Sequence, residues 1–91
     1  MDTNNKVNFK VKGNSNVHNC SLSLFKLIEE GRDVEVSAIG AAAVNQAVKI
    51  IVRARASMAQ MGKDLTVRPG MKNEVVNDKE LSLTIFNFKV V

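Results

Sequence analysis

AIGAAAVNQAVKIIVRARASM, residues 38–58, passes from the end of a strand through one glycine into a long amphipathic segment. The period of its apolar residues decides the fold. At about 100° per residue, Val44, Ala47, Val48, Ile51, Ala54 and Met58 gather on one arc, which must cover a sheet. Asn45, Gln46, Lys49, Arg53, Ser57 and Gln60 lie opposite. Arg55 falls near the centre of the apolar arc. A buried guanidinium needs a carboxylate or several carbonyls, because a naked charge in a core is very costly. Two roles are open to it: bracing the helix end, or running along the apolar surface to reach a ligand beyond the sheet edge.

Outward from this helix the periods change. Val7, Phe9 and Val11 alternate with Lys6, Asn8, Lys10 and Lys12, the mark of a half-buried strand. Gly13 to Asn16 is a turn with Ser15 or Asn16 as helix N-cap. Val17, Cys20, Leu24, Leu27 and Ile28 then recur at helical spacing up to Gly31. Val34 to Ile39 is a second strand, and the quoted helix is expected to run to about Met61. Leu65 to Arg68 reads as a third strand ending at a Pro69-Gly70 turn, and Leu81 to Val90 as a fourth. The apolar phase of the fourth changes at Ile85-Phe86, which requires either a bulge or a second buried face such as a dimer contact. The order βαβαββ implies a right-handed crossover, a parallel first pair and a final hairpin with a long loop. The expected architecture is a two-layer α+β fold, a four-stranded mixed sheet with two helices on one face. Residues 1–5 read as a loose tail, and 6–91 as a single domain.

Composition narrows the function. Ninety-one residues at 45% hydrophobic and 24% charged describe an ordinary globular chain. No apolar run suits a membrane, and MDTNNKVNFK has no secretory pattern. One cysteine, Cys20, leaves no internal disulfide and fits a cytoplasmic setting. The net charge of +4 is unevenly spread: from Val36 to Lys63 the chain carries Lys49, Arg53, Arg55 and Lys63 and no acid. Such segregation suits a polyanionic partner. Lys49 and Arg53, four apart, stand as neighbours, and a phosphate would relieve their mutual repulsion. Asn45 and Gln46, a turn earlier, have amides able to bond phosphates, sugars or base edges.

Little points to catalysis. His18 and Cys20 lie about 200° apart around the first helix, which makes neither a nucleophile–base pair nor a zinc site. Gly40 with Ala41-Ala42-Ala43 exposes backbone N–H groups that could hold an anion, but lacks phosphate-loop and dinucleotide spacing. No enzyme activity, cofactor, metal or small-molecule substrate is expected.

The block Ala-Ile-Gly, then Asn45-Gln46-Ala47-Val48-Lys49, then Ala54-Arg55, then Asp64-Leu65 and Pro69, resembles the stage V sporulation protein S family of bacteria. The match is good over roughly residues 31 to 70 and loose over the final hairpin. The resemblance implies an Alba-like βαβαββ fold, often dimeric, with a regulatory role around sporulation and a suspected nucleic-acid-binding activity. By position Asn45, Gln46, Lys49 and Arg55 match the family's block. Arg53 stands where the family has an aliphatic residue, and the first loop, Lys12 to Asn16, departs from the family's lysine-Ser-Ser-Pro. In Alba-like proteins that loop, the second helix and a basic hairpin face nucleic acid, which adds Lys12, Arg68, Lys72 and Lys79 as candidates.

Taken together, these residues predict a homodimeric, nucleic-acid-binding regulator gripping phosphates through Lys12, Lys49 and Arg53, with Arg55 as a further candidate. Duplex DNA is a better fit than RNA or single strands, because no tyrosine or tryptophan is present to stack on bases. The competing expectation is a protein-interaction module, in which the Asn45–Arg53 face or the Phe86-Phe88-Val90 strand binds another protein.

Overall fold

The computed structural model describes residues 5–91. The expected loose tail therefore lies, but for Asn5, outside the described residues. Six elements follow in order: β1 (Lys6–Val11), α1 (Val17–Glu29), β2 (Asp33–Ala38), α2 (Ala41–Ala59), β3 (Leu65–Val76) and β4 (Lys79–Val90). The sheet order is β1-β2-β4-β3, with β1 parallel to β2 and the other pairs antiparallel. This is the expected α+β architecture, with both helices on one face.

Asn16 begins α1, its side chain accepting from the Asn19 N–H at 2.9 Å. Ser15 is engaged instead in the preceding turn, its hydroxyl accepting from the Lys12 N–H. At the far end of α2, Gly62 adopts φ 73°. That left-handed geometry lets the Lys63 N–H return to the Met58 carbonyl and turns the chain towards β3.

The core lies between the helices and the inner strands. Leu24, Val36, Ala47, Ile50 and Ala54 are fully buried. On α2 the buried residues are Ala43, Ala47, Ile50, Ile51, Ala54 and Met58. The buried arc is thus turned from the expected one: Ile50 lies inside it, and Val48 and Arg55 lie on its border, exposed. Apolar residues surround most of this helix, so periodicity alone left its phase open. The alanines let α1 and β2 approach α2 closely.

The last hairpin differs from expectation. β3 and β4 are each twelve residues long and joined by the two residues Asn77 and Asp78, at φ 53° and 63°. Two positive φ angles make the tight turn that matches strand twist, so the expected long loop does not exist. Pro69-Gly70 is no turn either; Pro69 sits inside β3 opposite Phe86. Asp64 and Val91 exchange both main-chain hydrogen bonds, at 2.8 and 2.9 Å, and the register runs unbroken from there to the turn. Even-numbered residues of β3 therefore point their main-chain groups at β4, and odd-numbered ones point outward. Pro69 is odd and on an edge strand, so it costs the ladder no donor.

The unbroken register also excludes a bulge at Ile85-Phe86. Phe86 and Phe88 pack on the helix side, against the core. Leu81, Leu83 and Ile85 take the other face, where Leu83 is buried in a groove with Lys10, Lys12, Ile39, Val76 and Leu81.

Candidate nucleic-acid interface

The first loop is docked onto α2. Gln46 donates its amide to the Ser15 carbonyl at 2.8 Å. A side chain at Gly13 would meet the Ala42 Cβ at 3.0 Å, so only glycine lets the loop lie this close to the helix. One turn beyond Lys49, the Arg53 guanidinium lies 3.5 Å from His18 Nδ1 on α1. Gln46 and Arg53 thus join α2 to the start of α1. Asn45 and Lys49 stand exposed beside them on the same helix face.

This surface lacks negative charge. No acid occurs between Asp2 and Glu29, nor between Glu35 and Asp64, so the first loop, most of α1 and all of α2 carry only Lys12, Lys26, Lys49, Arg53 and Arg55 as full charges. Cations so placed are repelled by their neighbours and attract a polyanion.

The other expected site residues part company with this group. Arg55 is not buried: its Nε donates to Asp64 Oδ1 at 2.8 Å, and both side chains are more than half exposed. The same carboxylate oxygen accepts from the Leu65 N–H at 2.7 Å. Asp64 is held below the usual carboxylate range by the Arg55 hydrogen bond and then by the Leu65 N–H. Arg55 is correspondingly raised by the same bond. The arginine that looked misplaced is a strut from α2 to the start of β3. The Ala54-Arg55 and Asp64-Leu65 parts of the sequence block are one ion pair.

Arg68 and Lys72, both even-numbered on β3, share the sheet face with Asn87 and Leu83, away from the helices. Lys49 and Arg53 stand on the opposite side of the sheet, on α2. Lys72 also bonds Glu35 at 3.2 Å. Glu35 is buried on that face, so Lys72 neutralises a carboxylate that would otherwise be costly. Lys12 lies between the two regions: its main chain belongs to the docked loop, and its side chain borders the groove under the hairpin.

The hairpin is not a basic arm. From Met71 to Leu81 it holds Lys72 and Lys79 against Glu74, Asp78 and Glu80. The expected phosphate contacts Lys72 and Lys79 thus have acidic neighbours that Lys49 and Arg53 lack.

Sequence reasoning missed Ser15 and His18, whose partners on α2 lie 31 and 35 residues further along the chain and leave no local signature. The helix start at Gly40, whose backbone N–H groups the sequence marks as able to hold an anion, has φ 87° and no side-chain cap, and its first turn is partly covered by the Gly13 loop.

Among the described residues no helix is long and apolar enough to cross a membrane, and no group of three His, Cys, Asp or Glu could hold a metal ion. Among solved structures, the chain is similar to Alba from Thermoplasma volcanium, with a TM-score of 0.58 and 12% identity over 92% of this chain and 98% of that one. At that identity the likeness is one of fold. The model of the family described as stage V sporulation protein S matches residues 7–91, nearly the whole length. The chain belongs to the stage V sporulation protein S family.

Proposed function

We propose that this protein is a non-enzymatic regulator of the sporulation-protein type that binds nucleic acid through the exposed face of α2. Lys49 and Arg53 supply the central phosphate contacts, Asn45 adds a neutral hydrogen-bonding group, and Lys12 extends the surface from the first loop. The observation that carries this reading is the acid-free surface formed where the first loop and α1 dock on α2. Gln46 and Arg55 act behind it, as ties that fix the loop and the helix end. Phosphate contacts position a protein without reading bases, so binding is weakly sequence-specific and strongly salt-dependent. Duplex DNA is the favoured polymer.

A homodimer doubles this surface. The helices leave β3 uncovered on their side, where Val48, Ile51, Val52, Val67, Pro69 and Phe86 line one apolar depression. Val48 and Val52 are 45% and 60% exposed. Burying such a patch against its copy is favourable at about 25 cal/mol per Å².

The test is fluorescence anisotropy with labelled duplex DNA, single-stranded DNA and RNA at low and physiological salt. Binding that weakens steeply with salt, tightest for the duplex, supports the reading. No binding to any of the three at low salt overturns it and leaves the protein-interaction alternative, for which the charge-balanced hairpin is the favouring observation.

A further inference from the structure

β3 is a sheet edge, and its two halves are protected differently. In the half next to α2, Pro69 interrupts the outward donors. The distal half, Met71 to Val75, has no such guard. Its outward main-chain groups are those of Met71, Asn73 and Val75, by the alternation that the Asp64–Val91 pair fixes. The side chains of Met71 and Val75 are 69% and 68% exposed. The opposite edge, β1, carries Lys6 and Lys10 with no acid between, the usual guard of a free edge. An edge without proline, carrying charges of both signs and exposed apolar side chains, is a template for another strand.

We infer that the occupant is a second copy of the same strand: two β3 edges pair antiparallel about a two-fold axis through Asn73. Only this register meets every constraint. Asn73 faces Asn73 of the copy and Met71 faces Val75, each pair exchanging two main-chain hydrogen bonds through groups that already point outward. Between them Lys72 falls opposite Glu74, twice by symmetry, at the non-hydrogen-bonded positions where side chains stand closest. An axis through Lys72 or Glu74 would oppose like charges, and an axis between two residues would use main-chain groups already bonded to β4. An axis through Met71 would put Asn73 opposite Pro69, which has no N–H. An axis through Val75 would lose the charge pairs and run into the Asn77-Asp78 turn. Lys72 keeps its Glu35 contact, since an ammonium has three donors. The contact is isologous, both copies using the same strand. It is independent of the apolar depression beside α2 and of nucleic-acid binding.

The register makes the test specific. In a Cys20→Ser background, Asn73→Cys is expected to form an intermolecular disulfide on mild oxidation, because facing residues of a hydrogen-bonded pair have Cα atoms about 5.5 Å apart. Glu74→Cys alone is expected to cross-link far less, while an equimolar mixture of Lys72→Cys and Glu74→Cys gives the mixed species. Charge reversal supplies the second arm: Lys72→Glu and Glu74→Lys each weaken self-association in sedimentation velocity at least about tenfold, a change of ~1.4 kcal/mol, and mixing the two variants restores it. Circular dichroism establishes that each variant is folded. Folded Asn73→Cys that does not cross-link overturns the inference, as does equal cross-linking at 72, 73 and 74. So does a mixture of the charge variants that associates no better than either alone.

Discussion

The exposed face of α2 and the β3–β4 hairpin both looked like phosphate-binding surfaces by sequence, and their surroundings separate them. On α2, Lys49 and Arg53 sit on a helix with no acid, backed by a loop and a helix start that also have none. On the hairpin, Lys72 and Lys79 alternate with Glu74, Asp78 and Glu80, and Lys72 already holds Glu35. The difference teaches that a cation counts towards polyanion binding only when nothing beside it cancels its field. It also separates an anchored platform from a projecting arm. α2 is pinned by Ile50, Ala54 and Met58, whereas every residue from Met71 to Glu80 is exposed.

The anchored side should show the largest effect of substitution. Ile50 is completely buried, so Ile50→Ala is expected to cost about 2–5 kcal/mol, while Val76→Ala on the hairpin costs less than about 1 kcal/mol. Chemical unfolding followed by circular dichroism measures both, the chain having no tryptophan. Equal costs would remove the contrast between platform and arm.

A smaller effect tests whether the platform needs its docked loop. Gln46→Ala removes the bond to the Ser15 carbonyl and should lower stability by about 0.5–1.5 kcal/mol. Backbone amide exchange at Asn14 to Asn16 should quicken with it. Unchanged exchange there would show that the loop is held without Gln46.

Smaller still is the pH response of the strut behind the platform. The folded state holds Asp64 below its ordinary range, so the Arg55–Asp64 pair stabilises the fold above the unfolded carboxylate's titration and loses that contribution as pH falls through the folded one. Asp64→Asn should therefore flatten the acid limb of Tm against pH and leave the alkaline limb unchanged. Both groups are exposed, so the change is expected to be slight. An acid limb identical to wild type would deny Asp64 this role.

Much of the fold was legible because alternating and helical periods differ and each element announces one of them. Val7-Phe9-Val11 fixed β1, and Gly31 and Gly62 marked both helix ends. The hairpin was not legible, because Asn77-Asp78 lacks the glycine that usually marks a two-residue turn and Pro69-Gly70 imitates one. The phase of α2 was lost because Val44, Val48, Ile50, Ile51 and Val52 surround it with apolar side chains. At the site, Lys49 and Arg53 could be seen as neighbours from their spacing alone. That Arg68 and Lys72 belong to the far face depends on which residues of β3 pack inward, and that is decided by Leu65 and Val67 against the core. The Arg55–Asp64 strut needed the chain to turn at Gly62, which no spacing along α2 reveals.

The central claim, that α2 and not the hairpin grips nucleic acid, is tested most directly by one titration of labelled duplex DNA against salt. It compares wild type with folded Lys49→Ala/Arg53→Ala and Lys72→Ala/Lys79→Ala. The first double variant is predicted to bind at least about tenfold more weakly, with a salt slope shallower by about 2 for each engaged protomer. The hairpin variant is predicted to stay within about twofold of wild type, with its slope unchanged. The reverse pattern, loss through Lys72 and Lys79 with Lys49 and Arg53 dispensable, would contradict the account.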